Sequence, residues 1–261
     1  MKRFMSVCGT FYPQRTVELE RYFEHFHTLY DENFTLPDVN TKAVIVPHAG
    51  YIYSGYTASI AYRILEKSSV KNFVVIGPSH RVGFEGVSLC DFESYETPFG
   101  DISGDVDLFE KLQDQFSFVC IQEAHGEHST EVQFPFLKHY IDEVSIVELV
   151  YSHSSSKQLS KIIDFVLQQE DCGVIISTDL SHFYTLEEAN KLDNICLQAV
   201  EKLDVEMLNS GCEACGNTGV EAMMMSAKKL GLKSNILDYR TSADASDDES
   251  KVVGYMSANF S

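Results

Sequence analysis

Three short apolar runs in this chain each end by delivering a histidine into a turn. Ala43-Val44-Ile45-Val46 passes through Pro47 to His48-Ala49-Gly50. Phe73-Val74-Val75-Ile76 runs into Gly77-Pro78-Ser79-His80, and Gly173-Val174-Ile175-Ile176-Ser177 into Thr178-Asp179-Leu180-Ser181-His182. Short, β-branched runs bounded by Gly and Pro read as buried strands. In open α/β sheets, ligands gather beyond the carboxyl ends of the strands. A single histidine after a strand is ordinarily a loop or core residue. Three in the same position point to one shared site.

The rest of the chain alternates helix and strand. Thr16 to Leu29 spaces Val17, Leu19, Tyr22, Phe23 and Phe26 as an amphipathic helix, and Asp31 to Thr41 is a polar connection. A helix is expected from Gly55, with Ser54 as its N-cap. Gly86 to Leu89 reads as a strand, Tyr95 to Asp105 as a loop by its Pro and Gly, Asp105 to Gln115 as a helix and Phe116 to Ile121 as a strand. Thr130 and Gln133 have capping-box spacing, so a helix should begin near Ser129, with Glu127 and His128 at its mouth and Pro135 in its first turn. Ser145 to Tyr151 reads as a strand, and Ser156 to Gln169, Glu187 to Leu203 and Asn217 to Leu230 as helices. Met223-Met224-Met225 is core filling, and Val252 to Met256 is a closing strand. The reading is one α/β domain over residues 1–261, a central, largely buried sheet flanked by helices.

Charge narrows the partners. With 20 basic against 39 acidic residues the net charge is −19, which argues against phosphate backbones and anionic membranes. No run is apolar enough to span a bilayer. The basic Met1-Lys2-Arg3 start has no apolar stretch behind it, so no secretory signal is expected. The seven cysteines are odd in number and scattered, which reads as no disulfide framework and a reducing cytoplasm.

Imidazoles suit zinc, iron, copper and nickel, and a thiolate adds a soft ligand. The candidates are His48, His80, His125, His128, His182 and the cysteines. Cys212 and Cys215 form a lone CxxC, readable as two incidental thiols or a redox pair. Asp179 and His182, three apart, would share one face of a helical turn, an arrangement suited to general acid/base work, unless Thr178 or Asp179 merely caps a helix. No GxSxG, GxGxxG or P-loop pattern occurs, so nucleophile-elbow, dinucleotide and P-loop sites are not indicated.

A series of blocks carries a resemblance along almost the whole chain: CGTFYP, VPHAGYIYSG, GPSH, YETPFGDISGD, EHSTEVQFPFL, ISTDLSHF, ACG and VVGY, in that order. In these the sequence resembles the Memo family, also called AmmeMemoRadiSam system protein B. The resemblance implies a fold like the catalytic subunit of class III extradiol dioxygenases, and a metal site whose ligands map to His48, His80 and Cys215. It places His182 where those dioxygenases keep a catalytic histidine. On our reading of the residues, Asp179 would orient His182, and His128 and Glu127 would line the pocket. A thiolate in place of the dioxygenases' carboxylate favours softer, redox-active metals, iron or copper, though zinc also suits two histidines and a thiolate. After ACG this chain continues Asn217-Thr218-Gly219 rather than with a basic residue and Gly-Pro. The expectation is an iron or copper centre acting in redox or oxygen-linked chemistry on a small molecule. A module binding a peptide, or proteins of a radical-SAM-associated system, and a zinc hydrolase are the rival readings.

Overall fold

The computed structural model describes residues 1–261. Its strands are β1 (Lys2–Arg3), β2 (Ala43–Val46), β3 (Asn72–Pro78), β4 (Val87–Ser88), β5 (Ser94–Tyr95) and β6 (Ile102–Gly104). They continue with β7 (Ser145–Tyr151), β8 (Cys172–Ser177), β9 (His182–Tyr184), β10 (Ser234–Thr241) and β11 (Val252–Phe260). The helices are α1 (Thr16–Asp31), α2 (Tyr51–Glu66), α3 (Val106–Gln115), α4 (His128–Glu131) and α5 (Phe134–Tyr140). After these come α6 (Ser156–Leu167), α7 (Leu186–Lys202), α8 (Val205–Leu208), α9 (Asn217–Leu230) and α10 (Ala243–Ser246).

The sheet runs β1-β5-β6-β7-β3-β8-β2-β11-β10, with β4 on β7 and β9 on β11. Its centre, β7-β3-β8-β2, is parallel, and β11 and β10 close one side antiparallel. The apolar runs are continuous because both faces are covered. Along β2 and β3, Ala43, Ile45, Val74 and Ile76 pack toward α6, α7 and α9. Val44, Val46, Phe73 and Val75 pack toward α1, α2 and α5. Side chains two apart share a face, so each run feeds two cores at once. Met223 and Met224 fill the first of these, as their run suggested.

Several boundaries differ from the sequence reading. Helix α2 begins at Tyr51 with extended Gly50 before it, and Ser54 turns its hydroxyl back to the Ala49 carbonyl at 3.1 Å instead of capping. Phe116 to Ile121 forms a single bridge, Ser88 to Val119, rather than a strand. The helix expected from Ser129 is split. Pro135 has no N–H to continue α4, so α5 starts anew at Phe134 with the proline in its first turn. Glu127, not Thr130, caps α4. The expected loop after Tyr95 holds short strands, and β10 carries no alternating pattern, because the polar Asp238 and Tyr239 bond to Thr57 and Asp193 on helices at either face.

The cysteine reading is corrected as well. Cys90 is bonded to Cys120 and Cys196 to Cys212, leaving Cys8, Cys172 and Cys215 free. The sequence intervals of 30 and 16 residues hide pairs that the fold brings together, and the argument for a reducing compartment goes with them. Cys212 being bonded to Cys196, the CxxC is not a redox pair. No helix is long and apolar enough to cross a membrane.

A cross-link closing about 15 residues contributes about 3 kcal/mol by restricting the unfolded chain. Cys196→Ser is therefore expected to lower unfolding stability by about that amount in urea under non-reducing conditions. Cys212→Ser should cost the same, and the double variant no more than either single one.

Candidate metal centre

The adjacent parallel strands β3, β8 and β2 end at one edge of the sheet, so the turns that follow them meet. His48 comes from the turn after β2 and His80 from that after β3. His182 lies on β9, beyond the end of β8, rather than on a helical turn with Asp179. The helix after it is capped by Thr185, which forms a capping box with Glu188. The fourth histidine, His128, opens α4. That turn is seated against the end of β3: Ser129 Oγ donates to the Pro78 carbonyl at 2.8 Å. Gly77 leaves the room, since a Cβ there would stand 2.5 Å from Ser129 Oγ.

His48, His80 and His128 each place a ring nitrogen within 4.8 Å of the others. Their ring centroids lie 5.2, 5.3 and 4.6 Å apart. Cys215 enters from the loop before α9, its Sγ 3.2 Å from His48 Nε2. That loop is locked to the end of β8. Cys215 N–H donates to the Asp179 carbonyl at 3.1 Å, Asp179 N–H to Cys215 Sγ at 3.3 Å, and Gly216 N–H to Thr178 Oγ1 at 2.9 Å. A Cβ on Gly216 would meet Thr178 at 2.8 Å, so this approach needs glycine.

The supporting groups fix which ring nitrogen of His48 and His80 faces inward. Ser177 Oγ gives its one proton to the Ser129 carbonyl. It must therefore accept from Gln133 Nε2, at 2.9 Å, and from His48 Nδ1, at 3.0 Å. His48 then carries its proton on Nδ1 and turns a bare Nε2 toward Cys215. Glu127 does the same for His80, accepting from its Nδ1 at 3.1 Å and from its backbone N–H at 2.7 Å. His128 Nδ1 is 2.6 Å from the same carboxylate, with its N–H turned off the axis of a good hydrogen bond. A carboxylate behind a ligand imidazole is the usual way a protein sets tautomer and basicity at a metal.

Electrostatics agree with that donor set. Burial first, and the neighbouring His80 and His128 next, push the pKa of His48 far below the usual imidazole value, so its ring is neutral. Burial by itself would raise Glu127, but the adjacent His128 and the hydrogen bonds from His80 outweigh it and hold the carboxylate ionised. Cys215 is pushed up to about 12 by burial and then by Asp179. Burial likewise pushes Asp179 up to about 6. Asp179 makes its side-chain hydrogen bond to the His48 backbone, at 2.7 Å, and not to His182. His182 stays near enough for its charge to act on both.

A second polar layer lies behind α4. Arg3, buried, pairs with Glu131 at 2.7 Å and donates to the Glu127 carbonyl at 3.3 Å. Glu131 also accepts from Val7 N–H and from the Tyr12 hydroxyl, at 2.8 and 2.9 Å. Glu148 takes His125 Nδ1 at 2.8 Å and the Thr130 hydroxyl, which places His125, a candidate ligand by residue type, in this layer. The N-terminal segment so held lays Phe11 against His128, with ring centroids 4.7 Å apart. Sequence reading overlooked Arg3, Ser177 and Gln133. Ser177, a hydroxyl ending an apolar run, was the visible signal.

One backbone feature stands out beside His182. β9 and β11 pair His182 with Val253 and Tyr184 with Val252, which leaves Phe183 as the extra residue of a bulge. Phe183 has φ +65° and its side chain is 72% exposed.

A family model described as Memo-like protein matches residues 3–259. A MEMO1 family protein of Aquifex aeolicus is 35% identical over 98% of this chain and 97% of its own length. One of Thermoplasma acidophilum is 34% identical over 98% of each chain, and one of Methanobrevibacter smithii 34% over the full length of both.

Glu127→Gln keeps the shape of the residue behind His80 and His128 but removes its charge. Metal affinity is expected to fall about 10–100-fold with the fold intact by circular dichroism. An unchanged affinity would mean that the carboxylate does not serve the imidazoles.

Proposed function

The chain belongs to the Memo family, and from that premise we propose that His48, His80, His128 and Cys215 surround one iron or copper ion serving redox or oxygen-linked chemistry on a small organic molecule. One observation carries the reading: three imidazoles, two with Nδ1 tied back so that Nε2 faces inward, converge beside a thiol. Imidazoles accept iron, copper or zinc, and a thiolate inclines the set toward copper(I) and redox-active metals. A bound ion would supply electron transfer or activation of oxygen.

The chain's own residues would do the rest. His48 and His80 are oriented by Ser177 and Glu127 and would serve as the nitrogen ligands, with His128 closing the third side. Cys215 would give up its thiol proton on loading, and the Asp179 N–H directed at its sulfur favours the thiolate. Asp179, poised near 6, can hold or release a proton close to neutral pH. His182, half-exposed on β9, is placed to exchange a proton with a substrate. Phe11 and α4 limit water on the His128 side.

The test is metal analysis of protein purified without oxygen, followed by oxygen uptake with a panel of catechols. Iron or copper near one per chain with uptake supports the reading. Zinc alone, with hydrolysis and no uptake, points to a hydrolase, and metal-free protein with undiminished peptide binding points to a binding module.

Loading at pH 7 is expected to release about one proton per chain, because the thiol is protonated there and a bound thiolate is not. Calorimetry in buffers of different ionisation enthalpy measures this, and affinity should fall as pH drops. Cys215→Ser should abolish the release and the preference for copper(I). His48→Ala should remove metal altogether.

A further inference from the structure

We infer that Phe183 is a specificity residue of the metal pocket, placed to contact an apolar, planar part of the bound ligand. This inference rests on the metal-centre reading above. Four residues other than glycine have positive φ: Glu143, Phe183, Leu203 and Asp247. Leu203 and Asp247 close helices α7 and α10, and Glu143 lies in the turn after α5, all ordinary places for a left-handed residue. Phe183 alone sits within a strand, next to His182.

A bulge beside a functional residue has an evident use. It re-aims His182 relative to the paired strand β11. Glycine, or failing that asparagine, fills a left-handed bulge position with the least strain. A bulky aromatic is the unfavourable choice, and here its ring is 72% exposed, so it contributes little to either core of the protein. Its ring centroid is 5.7 Å from that of His182, edge to face. Folding therefore accounts for the bulge but not for the phenylalanine. Strain held at a functional position without a compensating contact in the chain points to a contact made with something bound. The face it offers is an aromatic one, and aromatic faces select planar, apolar partners.

The experiment compares Phe183→Gly and Phe183→Asn with the wild-type chain, each loaded with iron(II) without oxygen. Two probes are titrated by absorption: 4-nitrocatechol, which has a planar face, and azide, which has none. Metal content and azide affinity are expected to be unchanged, since neither variant touches a ligand. Affinity for 4-nitrocatechol is expected to fall about tenfold. The melting temperature should hold or rise in both variants, because the left-handed strain is relieved and no buried contact is lost. A loss of 4-nitrocatechol affinity no greater than that for azide overturns the role of Phe183 and leaves the metal centre standing. A marked fall in melting temperature also overturns it, by making the ring a folding element. Wild-type protein that loads iron but binds neither probe, or that loads no metal, overturns both readings together.

Discussion

The parallel register of β3, β8 and β2 is the constraint on which the rest of this molecule depends. Neighbouring parallel strands lie about 4.8 Å apart and finish at the same edge, so three turns separated by about 130 residues of sequence become neighbours without any contact between them having to be designed. Everything chemical in the site follows from that edge. The cost of such a sheet is that both faces must be buried, and the two cores on either side of it meet that demand with α1, α2 and α5 on one face and α6, α7 and α9 on the other.

Edges bring residues together but do not orient them. Orientation comes from a buried polar scaffold in which each group has a partner with a defined direction. Ser177 has one proton and directs it to a carbonyl, and this settles the tautomer of His48. Glu127 is surrounded by donors and so remains ionised despite its burial. Behind it, Arg3 and Glu131 tie the start of the chain to α4. Removing one member of a buried pair of this kind costs about 3–5 kcal/mol, because the other is left charged in a poor solvent. The first dozen residues are thereby part of the site, through Phe11 on His128, although they are far from it in sequence.

The same edge carries the tension between stability and function. Glycine at 77 and 216 permits close approach of the loops that bring His128 and Cys215, and both positions would clash with any side chain. Phe183 is the reverse case, a side chain where glycine would be easier. The first two positions are explained by packing within the chain; the third is explained by something outside it.

Much of this was legible in the sequence. The apolar runs identified the central strands, because a strand covered on both faces must be apolar throughout, and the punctuation after each run placed His48 and His80 at strand ends. The helix between Gly216 and Gly231 was as clear, but the boundaries set by Gly50 and Pro135 were not. Strands whose faces are satisfied by polar partners were not legible either: β10 carries no alternating pattern because its Asp238 and Tyr239 side chains bond to Thr57 and Asp193, residues chosen by tertiary contact. Nor was the cysteine pairing, since disulfides depend on distances that spacing along the chain does not encode. The sequence by itself determined the layered α/β class and the histidines that could meet. Tertiary structure alone decided that His128 joins them, that Cys212 is bonded away while Cys215 turns inward, and that Asp179 serves His48, because each of these is settled by which partner lies within hydrogen-bonding reach across the folded interior.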